Sequence, residues 1–332
     1  MNIDKSKLTS AEMGKLWATY MGNTMAKCVL RYFLKHVNDN EIKNLLELSL
    51  NLTKKYTQSI AQIFEQANFP IPVGFSDEDV NLDAPRLYCD DFYLYYLQYT
   101  GKVGISIYCH ALSVITRSDI SDFFIKCVGD TISLLTNTNN LLQQKGKLMN
   151  SPVVPNPNKV DFVNGQDFLN GYLGKVRPLH GLEVAHLYDC LNNDITSRAV
   201  VAGFAQIAQE TKVKKFMERG WEINKKHIGL MSKKLDEDNL PSPTILDHLV
   251  TSSTTPPFSD KIMIAHKIDM FSMKIREYAN GASLNGRRDI GLMYARLMMD
   301  VSLYVEDGAN IMIENGWMEL PPTSVNHEDL YH

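Results

Sequence analysis

The chain of 332 residues carries one long internal repeat. When the sequence is shifted by 171 positions, Glu12 falls on Glu183 (183 − 12 = 171), whereas from Asp90 onward the shift is 170, because Asp90 meets Asp260. Further matches are Leu16 with Leu187, Pro70 with Pro241, Pro85 with Pro256, Tyr108 with Tyr278, Arg117 with Arg287, Asp130 with Asp300 and Gly146 with Gly316. Each copy is far longer than the roughly 20–50 residues of a solenoid unit, so the repeat predicts two duplicated domains.

Apolar residues in each copy recur with the period of a buried helix face, as in Leu16, Tyr20 and Cys28. In the first copy we predict a helix before Asn38, one that begins after the N-cap Asp39 and stops before Pro70, and two that span Asp90–Val114 and Ser118–Lys145. The second copy predicts helices at His180–Gln206, Glu210–Glu237, Ser259–Asn280 and Arg288–Glu314, with Gly281 in a turn. Residues Tyr93–Tyr99 alone favour a strand, but their repeat partner Met263–Met270 is helical in pattern, so we predict a helix there too.

Each copy has short links within its first and last helix pairs and one long link in the middle. This pattern is typical of a ferritin-like bundle, whose long connection crosses the length of the bundle. We therefore predict an all-α fold of two tandem ferritin-like four-helix bundles, with domains at residues 1–150 and 180–332. Residues 151–179 contain several prolines, glycines and apolar side chains, which predicts an interdomain linker that packs on a domain. The change of register is expected between Pro85 and Asp90, since a deletion inside a helix would turn the later side chains off their buried face.

Composition narrows the class of protein. Lys and Arg number 34 against 38 Asp and Glu, for a net charge of −4, which argues against a broadly basic surface for nucleic acid. The five cysteines form no C-x-x-C pair, so we expect neither a zinc site nor a disulfide framework, and a reducing compartment. The charged N-terminus shows no secretion signal, and no apolar stretch is long enough to span a bilayer. We expect a cytoplasmic protein that binds no membrane.

Several short segments carry a resemblance to a known family. They are residues 74–80, 84–87, 161–163, 168–171, 177–179, 257–261 and 307–312. In the order in which they occur, these segments resemble an uncharacterised family of spore-forming bacteria made of tandem ferritin-like bundles and related to spore coat protein F. The resemblance covers nearly the whole chain and implies a fold and a spore association rather than a reaction. Histidine is frequent in the family at the position of His227, where the first copy has Tyr56, so the resemblance places any site in the second copy.

A ferritin-like bundle raises the question of a di-iron centre, which needs inward-facing Glu residues and two Glu-x-x-His motifs. The only such motif here joins Glu183 to His186, and it opens its helix instead of lying in mid-bundle. The helix dipole and its free N–H groups also explain a Glu at that position.

A second candidate group lies deeper in the bundle. Counting about 1.5 Å per helical residue places His227 and Asp300 at similar depth, near Asp194. Two interpretations stay open: a single metal ion, or a buried His–Asp hydrogen bond that fixes the helix register.

The sequence thus predicts a non-enzymatic bundle protein that binds other proteins, with no catalytic residue and no cofactor. The alternative is a metal-binding oxidoreductase or metal-storage bundle, using iron or manganese on Glu183, His227 and Asp300. A small apolar ligand held between the helices is a third hypothesis. Oligomeric state and partner identity do not follow from the residues.

Overall fold

The computed structural model describes residues 7–172, 174–284 and 286–324, so the first six residues of the charged N-terminus lie outside it. No strand occurs in these ranges, and an isolated bridge joins Tyr88 to Val250. The predicted all-α class is confirmed, including the helix at Tyr93–Tyr99. The α-helices are α1 (Ser10–His36), α2 (Asn40–Gln66), α3 (Asp90–Leu112), α4 (Ser118–Gln144), α5 (Gly181–Ile207), α6 (Thr211–Asp236), α7 (Asp260–Leu284) and α8 (Arg288–Glu314), with short 3₁₀ helices at Asp77–Asp79, Gln166–Leu169 and Asp247–Leu249.

Helix ends follow the capping chemistry of the sequence. Asp39 caps α2 as predicted, accepting hydrogen bonds from the N–H groups of Glu41 and Ile42. Thr9 and Glu12 form a capping box at the start of α1, in which each side chain accepts from the other residue's N–H. Such caps satisfy N–H groups that have no partner inside a helix.

The second bundle contains two antiparallel helix pairs joined by a long connection. Helix α5 packs against α6 and α7, and α8 packs against α6 and α7. Asp260 opens α7 and accepts from the N–H of Glu210 at 2.8 Å, so α7 begins at the end where α5 meets α6. Lys234 ends α6 beside Asp289 at the start of α8, 2.9 Å away, at the opposite end. The connection between α6 and α7 therefore crosses the length of the bundle.

The first bundle draws its core from four helices. Leu16 of α1, Ile60 of α2, Tyr108 of α3 and Phe124 of α4 belong to one buried apolar cluster. Tandem helical bundles are thus confirmed for the described residues.

The change of register lies earlier than predicted. Asn68 and Asn239, in the left-handed region at φ 52° and 58°, correspond at a shift of 171. The 3₁₀ helices Asp77–Asp79 and Asp247–Leu249 correspond at 170 (247 − 77 = 170). The extra residue is thus accommodated between these two landmarks rather than just before Asp90. This position is still in the crossover, where an added residue rotates no helix face.

Helix α7 also extends beyond its predicted end at Asn280. Gly281 lies inside the helix, which runs to Leu284. The ring of Tyr294 occupies the place where a Cβ of residue 281 would stand, with Cζ 2.6 Å from it. Glycine is used there for close packing between α7 and α8 and not for a turn.

The linker between the repeats divides into an exposed part and a packed part. Val153, Val160 and Phe162 are 94%, 87% and 81% exposed. In the second part, Tyr172 is still exposed, but the guanidinium of Arg177 lies 4.0 Å from the ring centre of Phe168 and Leu179 is buried. The packed interdomain linker at residues 151–179 stays a prediction.

By its contacts the chain forms two compact units. The first comprises the residues up to Asp83, Leu97–Leu141 and the segment from Asn315, and the second comprises Ala84–Tyr96 and Leu142–Glu314. A segment of the first repeat therefore belongs to the second unit. The domain boundaries at 150 and 180 describe the sequence repeats and stay a prediction.

Candidate functional site

Four polar side chains of the second bundle lie in one chain of polar contacts that runs from the buried Asp194, Tyr278 and His227 to the half-buried Asp300. The hydroxyl of Tyr278 lies 2.7 Å from Oδ2 of Asp194 and 3.0 Å from Nδ1 of His227. The other ring nitrogen of His227, Nε2, lies 3.3 Å from Oδ2 of Asp300. His227 and Asp300 thus meet at the depth that helix geometry predicted. Tyr278, which links them to Asp194, was not predicted.

The contacts assign the proton on His227. The Tyr278 hydroxyl donates to the Asp194 carboxylate, so Nδ1–H of a neutral His227 donates to the Tyr278 oxygen, and Nε2 then faces the Asp300 carboxylate without a hydrogen between them. Burial lowers the pKa of His227, although the carboxylate of Asp194 opposes this shift, and the neutral ring fits that direction. Asp300 in turn is neutralised from the surface by the ammonium group of Lys226, 2.6 Å away.

Lys274 gives the network its charge balance. Its ammonium group is buried and lies 2.7 Å from Oδ1 of Asp194. It also donates to the side-chain oxygen of Asn224, and the ring centre of Phe271 lies 4.4 Å away. The Asp194 carboxylate, the most deeply buried oxygen ligand that a metal could use here, is therefore already paired with a cation.

The first bundle contains a neutral version of the same network. Asn23 stands at the position of Asp194 and donates to the hydroxyl of Tyr108, 3.4 Å away. Tyr56 stands at the position of His227 and donates to Asp130 at 3.3 Å. Lys274 corresponds to Gly104. The carboxylate and the ammonium group are thus absent together from the first copy, as expected if they serve each other.

Glu183 lies far from this network. It is 11 residues before Asp194 on α5 (194 − 183 = 11), which is about 16 Å along the helix axis. Arg177 donates two hydrogen bonds of 2.8 Å to its carboxylate, and the N–H groups of Gly286 and Arg287 donate at 3.0 and 3.2 Å. Burial alone would raise the pKa of Glu183, but Arg177 and these N–H groups lower it to about 2.

Glu183 of the Glu-x-x-His motif thus belongs to a helix cap that is joined to an ion network. His180 completes the cap as N-cap residue of α5. The predicted candidates Glu183, His227 and Asp300 do not converge, although the last two meet. Within residues 7–172, 174–284 and 286–324, no group of three or more His, Cys, Asp or Glu side chains is arranged to hold a metal ion.

A second buried lysine was also not predicted from the sequence. Lys267 lies one heptad before Lys274 on α7, and its ammonium group donates to the hydroxyl of Ser197 at 2.8 Å and to its carbonyl at 3.0 Å. Burial and the nearby charge of Lys274 place the pKa of Lys267 well below its usual value. The first copy has Leu97 and Ala26 at these two positions. The position of Lys267 and Lys274 on the apolar face of α7 is the sequence feature that could have predicted their burial.

Comparison with known proteins agrees with the repeat. The model of one family, described as "Protein of unknown function (DUF3231)", matches residues 1–160 and again residues 167–330. A solved structure from Bacillus halodurans, described as a "putative spore coat protein", is 16% identical, with a TM-score of 0.40, and covers 45% of this chain and 98% of its own. None of the curated proteins compared with the chain matches it.

Proposed function

Because the chain belongs to the DUF3231 family of proteins of unknown function, we propose its role from its own residues: it is a non-enzymatic tandem helical bundle that binds another protein. The observation that carries this proposal is the apolar surface of residues 153–163, where Val153, Val160 and Phe162 are 94%, 87% and 81% exposed. Exposed apolar side chains that cluster in one segment mark interaction sites. Three nearby prolines, at 152, 155 and 157, limit the entropy that this segment loses on binding.

Photo-crosslinking tests this role directly. With benzoylphenylalanine in place of Phe162, we expect one defined adduct with another protein in the native host, identified by mass spectrometry. The same reagent at Glu222, an exposed residue of α6, is the control. Equal crosslinking at the two positions would contradict the proposal.

The non-enzymatic part of the proposal is supported by the closed polar network. Asp194 is paired with Lys274, and the first copy lacks both groups, which favours a structural pair that sets helix register. The two antiparallel pairs and their long crossover support a ferritin-like connectivity without a ferritin-like ligand set.

Metal analysis separates this interpretation from the metal-dependent alternative. Protein purified without chelator should hold well under one equivalent of iron or manganese, and the His227→Ala variant should hold the same amount. About one metal ion per chain that disappears in His227→Ala would contradict the structural role of the network.

We propose further that the protein is cytoplasmic and associated with the spore. The spore association is supported only by the sequence resemblance to a family of spore-forming bacteria. The cytoplasmic location is supported by thiols: Cys28, Cys127 and Cys190 are buried and free. Among the described helices, none has the length and apolar character needed to cross a membrane.

Immunoblotting of mother-cell, forespore and mature-spore fractions tests this proposal, and a signal confined to vegetative cells would refute it.

A further inference from the structure

A basic cavity opens on the first unit between α1, α2 and the crossover. It is shallow and largely open to solvent, and its volume is about 620 Å³. Four cations and a single carboxylate line it together with three leucines, on a chain whose net charge is −4. The lining residues are Lys27, Arg31, Leu34, Lys35, Leu50, Lys54, Asp77 and Leu82.

Two of these cations form no close ion pair in the described part of the chain. Arg31 pairs with Asp77, and Lys35 lies 3.9 Å from Asp83. The ammonium groups of Lys27 and Lys54, in contrast, donate no hydrogen bond and form no ion pair within the described part of the chain. Lys27 acts on the carboxylate of Asp77 only at longer range. An anion that entered the cavity would therefore meet two ammonium groups that are available for close ion pairs.

The second repeat has an aromatic ring at the position that corresponds to this cavity. Trp221 stands there at the position of Leu50, and its ring centre lies 4.6 Å from the guanidinium carbon of Arg198 and 5.0 Å from Nζ of Lys225. Arg198 and Lys225 correspond to Lys27 and Lys54 of the first repeat. Cations over the faces of an indole ring form favourable cation–π contacts. The first repeat thus keeps both cations and lacks the ring.

We propose that the cavity of the first unit binds a planar aromatic compound that carries two negative charges. Its ring takes the place that Trp221 takes in the second repeat. Its two acid groups pair with Lys27 and Lys54, and the three leucines contact the edge of the ring. The proposal goes beyond the protein-binding role, and it rests on residues outside the exposed linker.

Calorimetric titration of the full chain with benzene-1,3-dicarboxylate tests the site. Lys54→Ala and Lys27→Ala should each weaken binding about tenfold or more, since a hydrogen bond to a charged group contributes about 1.5–3 kcal/mol and about 1.4 kcal/mol is a factor of ten. Lys225→Ala, the matched change in the second repeat, should leave the affinity unchanged. Cyclohexane-1,3-dicarboxylate, which has the same charge and no aromatic ring, should bind at least about tenfold more weakly.

Leu50→Trp is the most direct test, because it places in the first repeat the indole ring that Trp221 supplies in the second. We expect this variant to lose binding while circular dichroism shows an unchanged fold. The absence of saturable binding at low-millimolar ligand would overturn the proposal, as would equal affinity for the two dicarboxylates. Unchanged affinity in the lysine variants would overturn the assigned location. Lys54 is exposed and Lys27 is half-buried, so Lys54→Ala tests the location even where Leu50→Trp fails to fold.

Discussion

Asp194 and Lys274 are buried together, so each determines the cost of changing the other. We expect Asp194→Asn alone to destabilise the second bundle by about 3–5 kcal/mol, because it leaves the ammonium group of Lys274 without a counter-charge. The double variant Asp194→Asn with Lys274→Met should recover most of that loss. Denaturant unfolding followed by the fluorescence of Trp221, in a background without the other two tryptophans, measures both variants.

The first repeat supplies the matched control for this cycle. Asn23→Asp places a carboxylate beside Tyr108. Residue 104, which corresponds to Lys274, is glycine and cannot pair with it. It should destabilise the first bundle by about 1–3 kcal/mol. Additive effects of Asp194→Asn and Lys274→Met would mean that the two charges do not depend on each other.

Glu277 gives the second bundle a pH dependence of its own. Burial, followed by the carboxylates of Asp189 and Asp194, raises the pKa of Glu277 to about 8, and among the described residues its Oε2 has no hydrogen-bond partner. The folded state therefore favours the protonated acid. The stability that the protonated Glu277 contributes is complete below the ordinary pKa of 4.5 and is lost as the pH rises through about 8.

We expect Glu277→Gln to unfold at a higher temperature than the wild type at pH 9, and the difference to be smaller at pH 6, which lies nearer the ordinary value of 4.5. The wild type should lose about 1–3 kcal/mol more than the variant over this range, the cost of an unsatisfied buried acid. Scanning calorimetry at the two pH values measures the difference. Glu306→Gln, at an exposed residue of α8, should show the wild-type pH dependence. A Glu277→Gln profile parallel to that of the wild type would refute the assignment.

At the scale of the helices, Gly203 of α5 shows how tightly one element is packed. Tyr88 is buried against it, donates to the carbonyl of Val200 at 2.8 Å and stacks on Phe92 at 4.1 Å. A Cβ on Gly203 would lie 2.7 Å from Cζ of Tyr88. Gly203→Ala should therefore destabilise the protein by about 1–3 kcal/mol.

Gly229 of α6 is the matched control, because a Cβ there meets nothing within 4 Å. Gly229→Ala should stabilise the protein by up to about 1 kcal/mol through its helix propensity. Thermal unfolding compares the two variants. Equal effects would mean that the Tyr88 ring moves aside at little cost.

The same elements show what the sequence could predict. Helix positions followed from local information, because apolar period, the Asp39 cap and the prolines after α2 act within a few residues. The end of α7 did not follow from local information. Gly281 lies within the helix, and the ring of Tyr294 from α8 packs against it. The depth match of His227 and Asp300 followed from helix rise and repeat symmetry alone. Tyr278 and Lys274 were not predicted because their role depends on contacts with α5, which periodicity does not contain.

At the scale of the whole molecule, the sequence repeat and the compact units differ at residues 84–96. This segment of the first repeat makes backbone hydrogen bonds inside the second unit, from Thr251 N–H to the carbonyl of Leu87 and from Cys89 N–H to that of Leu249, both 2.9 Å. The hydroxyl of Tyr96 lies 2.7 Å from Nε2 of His266. The second unit is thus completed by residues that precede the linker.

Cleavage of the linker should therefore leave the two fragments together. With a protease site placed among the exposed residues 153–163, the cut protein should elute from size-exclusion chromatography as one species under native conditions. The C-terminal fragment expressed alone lacks residues 84–96, so it exposes apolar surface that Tyr88 and Phe92 normally cover, and it should bind a hydrophobic dye. Tyr88→Ala in the cut protein should weaken the association, because it removes a buried ring and its hydrogen bond to Val200. If the fragments separated without denaturant and the C-terminal one unfolded cooperatively by itself, the repeats would be independent domains, and the contacts of residues 84–96 would contribute little to stability.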